Sequence, residues 1–346
     1  MQVQRKQVMV AMSGGVDSSV AVALMLDAGH EVVGVTMKLW GGPSDKGCCS
    51  VSDVQDARRA ADLLGVDHHV FNFGEDFERD VIAPYVTEHA AGRTPNPCIE
   101  CNRSIKFARL LERADALGFD AVVTGHHAQI VRVADGTRRI ARAVDMAKDQ
   151  SYVLHMLSAA DLERVEFPVG GMEKTEVRRI AADLGMRVAN KPDSQDVCFI
   201  ASTTSRHEFL GKRMPFTPGV VVDSDGVEVG AVEALQTVTI GQRKGLGLAG
   251  GMPPRYVTDV DIAAQRVTIG RREDLLSDHV DLDVMVWIGD AVDEGLVAQT
   301  SAHGETRPAR VESDRVIWES PQQRVAPGQT VVLYEGDHVV GGGIAQ

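Results

Sequence analysis

Two groups of residues in this chain have types and spacing suited to chemistry. The first is Ser13-Gly14-Gly15-Val16-Asp17-Ser18-Ser19, which follows a short apolar run and opens a helical stretch. Paired glycines let a backbone come close to an anion, and hydroxyls with free N–H groups at a helix start supply donors to it. No Gly-Lys-Ser/Thr follows, so a kinase-like phosphate loop is disfavoured. The second group is the thiols. Cys98 and Cys101 form a CxxC in Thr94-Pro95-Asn96-Pro97-Cys98-Ile99-Glu100-Cys101-Asn102, a loop stiffened by two prolines, and Cys198 lies far along the chain in DSQDVCFI. A CxxC alone fits a redox pair, half a zinc site or cluster ligands. A four-thiol zinc site would need Cys48 or Cys49, whose adjacency makes it awkward for both to bind one ion. Three thiols in a chain with one anion-binding loop fit the handling of sulfur better.

The elements that must hold these groups alternate. Val8–Met12 is an apolar run ending in the glycine turn, and Ser18–Ala28 is helical up to Gly29. Glu31–Met37 is a second strand. Ser52 with Gln55 reads as the capping box of a helix ending at Gly65. His68–Phe73 and Ala121–Gly125 are further strands. Strand and helix in alternation predict a parallel sheet covered on both faces, with ligands at the carboxyl ends of its strands. After about Phe216 helical periodicity fades and short Val-, Thr- and Gly-rich alternating segments take over, the pattern of small β domains. The predicted organisation is α/β, with a parallel-sheet domain at 1–210, a small central β domain at 211–274 and a C-terminal β-barrel at 275–346.

Of the 346 residues, 44% are hydrophobic and 25% charged, as in a folded globular protein. No apolar run reaches the roughly 18 residues of a membrane span, and the apolar stretch at the N-terminus is too short for a secretion signal. Five cysteines, an odd count, argue against a disulfide framework and for a reducing, cytoplasmic setting. A net charge of -13 excludes a generally basic nucleic-acid binder, so any RNA contact is local. Two basic stretches are candidates: Arg132 to Lys148, which contains Arg138, Arg139, Arg142 and Lys148, and the helical face Arg103, Lys106, Arg109 and Arg113. Each reads equally well as a solvated charged surface.

The phosphate loop resembles the PP-loop of the ATP pyrophosphatase superfamily, whose members split ATP between its α- and β-phosphates and adenylate a carbonyl-type oxygen. That resemblance implies that Ala11, Met12, Ser13, Gly14, Gly15, Val16, Asp17 and Ser18 wrap the nucleotide. Met37 would lie beside adenine, although alone it reads as a core methionine, and Gly125 would complete the pocket. Asp17 is a catalytic candidate, either orienting phosphate or Mg²⁺ or acting as a local cap. SGGVDSS, Cys48-Cys49-Ser50, TPNPCIECN, TGHHA (124–128), KDQSYVL (148–154), SQDVCFI and TIGQRKGLG (239–247) occur in this order. Together they are similar to the bacterial tRNA-specific 2-thiouridylase (MnmA) family, over about residues 8 to 273.

The family resemblance implies adenylation of the C2 carbonyl of a tRNA wobble uridine, followed by its replacement with sulfur. Cys198 would carry a persulfide delivered by a sulfur-relay protein or a cysteine desulfurase. Cys101 would act as nucleophile, freeing that sulfur or helping to displace AMP. Asn96, Pro97 and Cys98 would line the extruded base. Lys148, Asp149 and Gln150 would contact the tRNA, although KDQ also reads as a helix start. Part of the family has Asp where Cys98 stands here. Cys98, Cys101 and Cys198 together therefore offer a [4Fe–4S] alternative to the persulfide. His126 and His127 have no role assignable from sequence. Other PP-loop enzymes, such as GMP synthetase or argininosuccinate synthase, need no trio of thiols. The intact phosphate loop argues against a non-catalytic RNA-binding protein.

Overall fold

The computed structural model describes residues 5–39, 50–134, 136–193, 197, 199–200, 205–248 and 253–346. Cys48, Cys49 and Cys198 lie outside these. The first sheet contains β1 (Gln7–Ala11), β2 (Glu31–Lys38), β3 (Asp67–Asn72), β4 (Ala121–Thr124) and, after the hairpin β5 (Gln129–Arg132) and β6 (Arg138–Ala141), the short β7 (Val165–Glu166). Its order is β3-β2-β1-β4-β7, all parallel. Val8, Met9 and Val10 are fully buried because helices cover both faces, which is why β1 is apolar without alternation. The chain leaves β1 toward β2 on one side and later returns to β4 on the other. The sheet therefore has a switch point between β1 and β4, where a parallel sheet opens a crevice.

Helix α1 (Val16–Asp27) is apolar along most of its length and buries Val16, Val20, Ala21, Val22 and Met25. Helix α2 (Val51–Leu64) ends as expected at Gly65, which takes the left-handed conformation at φ 70°. Its start differs from the expected Ser52/Gln55 box. The cap is Ser50, whose hydroxyl accepts from the Asp53 N–H while the Asp53 carboxylate accepts from the Ser50 N–H. The shorter Asp reciprocates as Glu or Gln would.

Strands β8 (Gly219–Val222), β9 (Glu228–Val232), β10 (Tyr256–Asp261) and β11 (Arg266–Gly270) form a small sheet in the order β10-β11-β8-β9. The final strands are β12 (Leu276–Trp287), β13 (Leu296–Gln299), β14 (Arg307–Glu312), β15 (Arg315–Gln323), β16 (Thr330–Glu335) and β17 (His338–Ala345). They run β12-β15-β14-β13-β16-β17, and β12 pairs again with β17, closing a six-stranded antiparallel barrel. The hairpin β5–β6 continues the barrel sheet, pairing β6 with β17 at Ala141 and His338. A piece of the first half of the chain is thus built onto the last domain.

Two buried histidines at the domain contacts set a pH dependence. Nδ1 of His89 donates to the Gln236 carbonyl in the central domain at 3.3 Å, and Nδ1 of His155 donates to Tyr152 O at 3.1 Å. A carbonyl only accepts, so each Nδ1 carries the proton of a neutral ring. Burial pushes both pKa values down from 6.5 to about 4. The unfolded chain takes up these protons near pH 6.5 and the native state near 4, so stability is full above 6.5 and falls as pH drops toward 4. The slope reaches at most about 1.4 kcal/mol per pH unit for each ring. Urea unfolding of His89→Gln and His155→Gln at pH 7, 6 and 5 is expected to show a flatter loss than the parent chain.

Candidate functional site: a phosphate cleft and a thiol loop

At the switch point lies a cleft of about 580 Å³. Its wall includes Ala11, Met12, Ser13, Gly15, Val16, Asp17 and Ser18 from the turn after β1, Met37 from β2, and Gly125 after β4. Gly14 holds φ 72°, and a Cβ there would sit 2.2 Å from the Asp53 carbonyl oxygen, so only glycine fits. A Cβ on Gly125 would fall 2.5 Å from the Ser18 nitrogen, so β4 ends against the first turn of α1. Gly15 caps α1 without a side-chain hydrogen bond. The Ser18 and Ser19 hydroxyls donate back to its carbonyl at 3.2 and 2.9 Å. The helix start therefore presents its N–H groups and partial positive charge without a side-chain acceptor of its own, which is the requirement for binding phosphate.

Charge is concentrated on one side. Lys174 Nζ donates to both Asp17 oxygens at 2.7 and 2.6 Å, and Asp17 also meets His127 Nε2 at 3.0 Å. Burial acts to raise the Asp17 pKa, but the hydrogen bonds from His127 and Lys174 and the lysine charge outweigh it and hold the carboxyl below its ordinary value. Lys191 Nζ bridges Gly14 O, Asp53 and Asp56 at 2.8, 2.7 and 2.9 Å, tying the turn to α2. Burial, then the Lys106 charge, keeps His126 neutral, its pKa well below 6.5, and its Nδ1 lies 2.7 Å from Thr124 Oγ1.

The thiol loop is docked by both later domains. Thr94 N–H donates to Pro327 O at 2.7 Å, its carbonyl accepts from the Gln329 amide, and its hydroxyl lies 3.3 Å from Thr239 Oγ1, in the TIGQRKGLG segment. Asn96 then caps the turn Pro97–Glu100 by accepting from the Cys98 N–H at 3.0 Å. Cys98 is exposed and Cys101 is buried. Cys101 opens a π-helical stretch, Cys101–Arg109, a wide winding that is rare and concentrates at functional sites. Asn96 and Pro97 line a second cleft of about 510 Å³, between the thiol loop and the barrel bulge at Asp283–Val284. Phe199, the residue after Cys198, packs its ring 5.5 Å from that of Tyr85, which lines the same second cleft.

Three family models tile the chain. They are described as a tRNA methyl transferase HUP domain over residues 6–202, a tRNA methyl transferase PRC-barrel domain over 207–271 and an aminomethyltransferase beta-barrel domain over 277–345. The tRNA-specific 2-thiouridylase MnmA of Chloroflexus aurantiacus is 45% identical over 97% of each chain. Those of Mycobacterium tuberculosis and Mycobacteroides abscessus are 48% and 47% identical, over 97% and 98% of this chain and 95% and 99% of their own. The chain belongs to the MnmA family.

In this MnmA-family chain the residues expected at the nucleotide, Gly14 apart, line the first cleft together with Lys148, Asp149 and Gln150. Asp149, however, faces inward. Its oxygens accept from Arg142 Nη1, the Ala143 N–H and the Ser151 hydroxyl at 2.9, 2.9 and 2.7 Å. The side chain expected at the RNA is a structural clasp, and Lys148 and Gln150 are the more exposed groups of the triplet. Gln150 accepts from the His127 N–H at 2.9 Å. Neither Cys98 nor Cys101 is among the described residues lining the first cleft. Both basic stretches are substantially neutralised. Arg138 pairs with Glu166, Arg139 with Glu335, Arg103 with Glu100, and Arg109 with Asp76 and Glu112. Sequence reasoning missed Lys174 and Lys191. Their signals were a lysine opening the helix KTEVRR and one just before the Pro-Asp that leads to Cys198.

Proposed function

We infer that this chain is a tRNA-uridine 2-sulfurtransferase that uses ATP to replace the C2 oxygen of a wobble uridine with sulfur. The observation that carries this reading is the 45–48% identity to 2-thiouridylases along nearly the whole length of both partners. The PP-loop cleft supports it, since a phosphate cradle at the sheet's switch point fits ATP-dependent activation of a carbonyl. In this reading residues 1–210 perform the chemistry, and 211–274 and 275–346 hold the anticodon arm against it.

Ser13 to Ser18 would receive the phosphates of ATP, Met37 the adenine edge, and Gly125 the close approach of the sugar and α-phosphate. Uridine O2 attacks the α-phosphorus, the bond to the β-phosphate oxygen breaks, and pyrophosphate leaves with the electron pair. The N3 proton is lost at this step and regained when the thiocarbonyl forms. The terminal sulfur of a Cys198 persulfide attacks C2 and AMP departs. Cys101 thiolate then attacks the inner sulfur, freeing the transferred sulfur and leaving a Cys101–Cys198 disulfide for an external thiol to reduce. Asn96, Pro97 and Cys98 would border the extruded uracil, and Lys148 and Gln150 the RNA. A sulfur-relay protein or a cysteine desulfurase would load Cys198.

Mg²⁺ would accompany the phosphates and neutralise their charge. Both Asp17 oxygens already face Lys174, so Asp17 is read as a positioning group, not a metal ligand. For the [4Fe–4S] alternative, Cys98 and Cys101 stand one helical turn apart, which suits two ligands of one cluster, and the third, Cys198, lies outside the described residues. No helix among the described residues is long and apolar enough to cross a membrane, which is compatible with a cytoplasmic enzyme.

The test is a reaction of the full chain with ATP, Mg²⁺, a sulfide source and unmodified tRNA, with nucleosides read by mass spectrometry. The expected product is 2-thiouridine at the wobble position, with one AMP and one pyrophosphate per sulfur. A methylated uridine formed from S-adenosylmethionine, or ATP turnover without sulfur in the RNA, overturns the reading.

A further inference from the structure

Lys148, Lys174 and Lys191 in the phosphate cleft each face a carboxylate, and one carboxylate serves several cations. Asp193 Oδ2 accepts from Lys148 Nζ at 2.8 Å, and its Oδ1 lies 3.0 Å from Lys174 Nζ and 2.8 Å from Arg178 Nη2. Arg178 is itself fixed, donating to the carbonyls of Ala189 and Lys191 at 2.7 and 3.0 Å. Lys174 is the most enclosed, with its side chain 8% exposed, gripped by Asp17 of the phosphate loop on one side and Asp193 on the other. Asp193 lines the cleft together with Lys148 and Lys174. Its carboxyl is held at about pKa 2: burial acts to raise it, and the two lysines more than offset that. Three cations converging on one small anion beside a phosphate loop form an anion site, occupied in this structure by a side chain.

We propose that Asp193 is a built-in stand-in for the leaving pyrophosphate, and that Lys174 is the group that passes from Asp193 to that pyrophosphate during adenylation. This rests on the ATP-dependent reading above. In this structure the Asp193 carboxylate holds Lys148, Lys174 and Arg178 together against their mutual repulsion. The β- and γ-phosphates carry more charge and more acceptor oxygens than a carboxylate, so they displace it. As the bond between the α-phosphorus and the bridging oxygen breaks, the electron pair moves onto pyrophosphate. Lys174, held in register by Asp17 and indirectly by His127, balances that charge. Return of Asp193 then competes pyrophosphate off its cations, so the same carboxylate that weakens ATP binding speeds product release. Asp193 is thus a positioning residue, and Lys174 contacts the leaving group.

The test is calorimetric titration of the full chain with inorganic pyrophosphate and, separately, with AMP, together with KM for ATP and kcat. Asp193→Asn removes the competitor and is expected to tighten pyrophosphate binding about tenfold, lower KM for ATP and slow turnover. Lys174→Met is expected to weaken pyrophosphate binding by about tenfold or more while leaving AMP within about twofold, with Lys174→Arg restoring part of the loss. Lys148→Gln, on the more exposed rim, serves if the buried variants do not fold, and should weaken pyrophosphate binding with AMP unchanged. Weaker or unchanged pyrophosphate binding in folded Asp193→Asn, or equal losses for AMP and pyrophosphate in the lysine variants, overturns the proposal. These titrations need neither tRNA nor sulfur. Failure to make 2-thiouridine would count against the proposed function and leave this inference standing.

Discussion

Cys101→Ser is expected to lower 2-thiouridine formation by about 10³-fold or more while pyrophosphate is still released on adding ATP and tRNA. On the proposed reading, the two halves of the reaction would draw on different groups. The phosphate loop, Lys174 and Lys191 line the first cleft, and the described thiols do not. Cys101 sits at the head of the π-helical segment, buried among Ile99, Ile105 and their neighbours. Serine nearly matches its volume, so the fold should persist, but a hydroxyl is a far weaker nucleophile toward a persulfide sulfur. Cys101→Ala controls for the cost of burying the hydroxyl and should be as inactive. Cys98→Ser is the discriminating partner. A persulfide route needs only Cys101 and Cys198, so activity should stay within a few-fold of wild type. A cluster route needs all three thiols, and activity should disappear together with iron and acid-labile sulfide in anaerobically purified protein. Full 2-thiouridine formation by Cys101→Ser would remove the assigned nucleophile.

What could be read from the sequence was whatever is encoded locally. The turn after β1 was legible because its glycines and hydroxyls act within a few residues of one another, and the apolar run before it read better as a buried strand than as a signal segment. The thiol loop was legible for the same reason. The partners of these segments were not. Thr94 is held by Pro327 and Thr239, more than 140 residues away, and nothing near Thr94 announces them. The basic stretch from Arg132 to Lys148 could be weighed as an RNA contact because acids that pair with it come from elsewhere: Glu166, Glu335 and Asp193. Charge counted along the chain was blind to charge cancelled across it. The DSQDVCFI segment drew notice for its thiol, although its first residue, Asp193, is the one that organises the cleft's cations. Hairpin β5–β6 was not anticipated either, since its pairing partner β17 lies at the other end of the sequence.

Asp149 shows what such long-range pairing is worth, and Arg142→Met is expected to destabilise the chain by about 3–5 kcal/mol. The Arg142 and Asp149 side chains are only 9% and 5% exposed, and they meet at 2.9 Å. The guanidinium also donates to Gln299 at 3.0 Å and lies 3.9 Å over the Tyr334 ring, both from the barrel. Tyr334 in turn meets the Ser151 hydroxyl, which donates to Asp149, so the network closes on itself across the domain contact. Removing the arginine strands a buried carboxylate, a larger penalty than the pair's net contribution, because the intact pair had already overcome its own desolvation. Replacing both partners should therefore be milder: Arg142→Met with Asp149→Asn is expected to recover about half or more of the single variant's loss. Urea unfolding measures both, and a double-variant loss equal to the sum of the singles would show that the two groups are not coupled. Because Asp149 also holds the backbone between Ala143 and Ser151, the same substitution should shift Lys148 and Gln150 at the cleft and raise KM for tRNA. The barrel would then act on the ATP site through one buried arginine, tying the domain read as gripping RNA to the loop read as touching it.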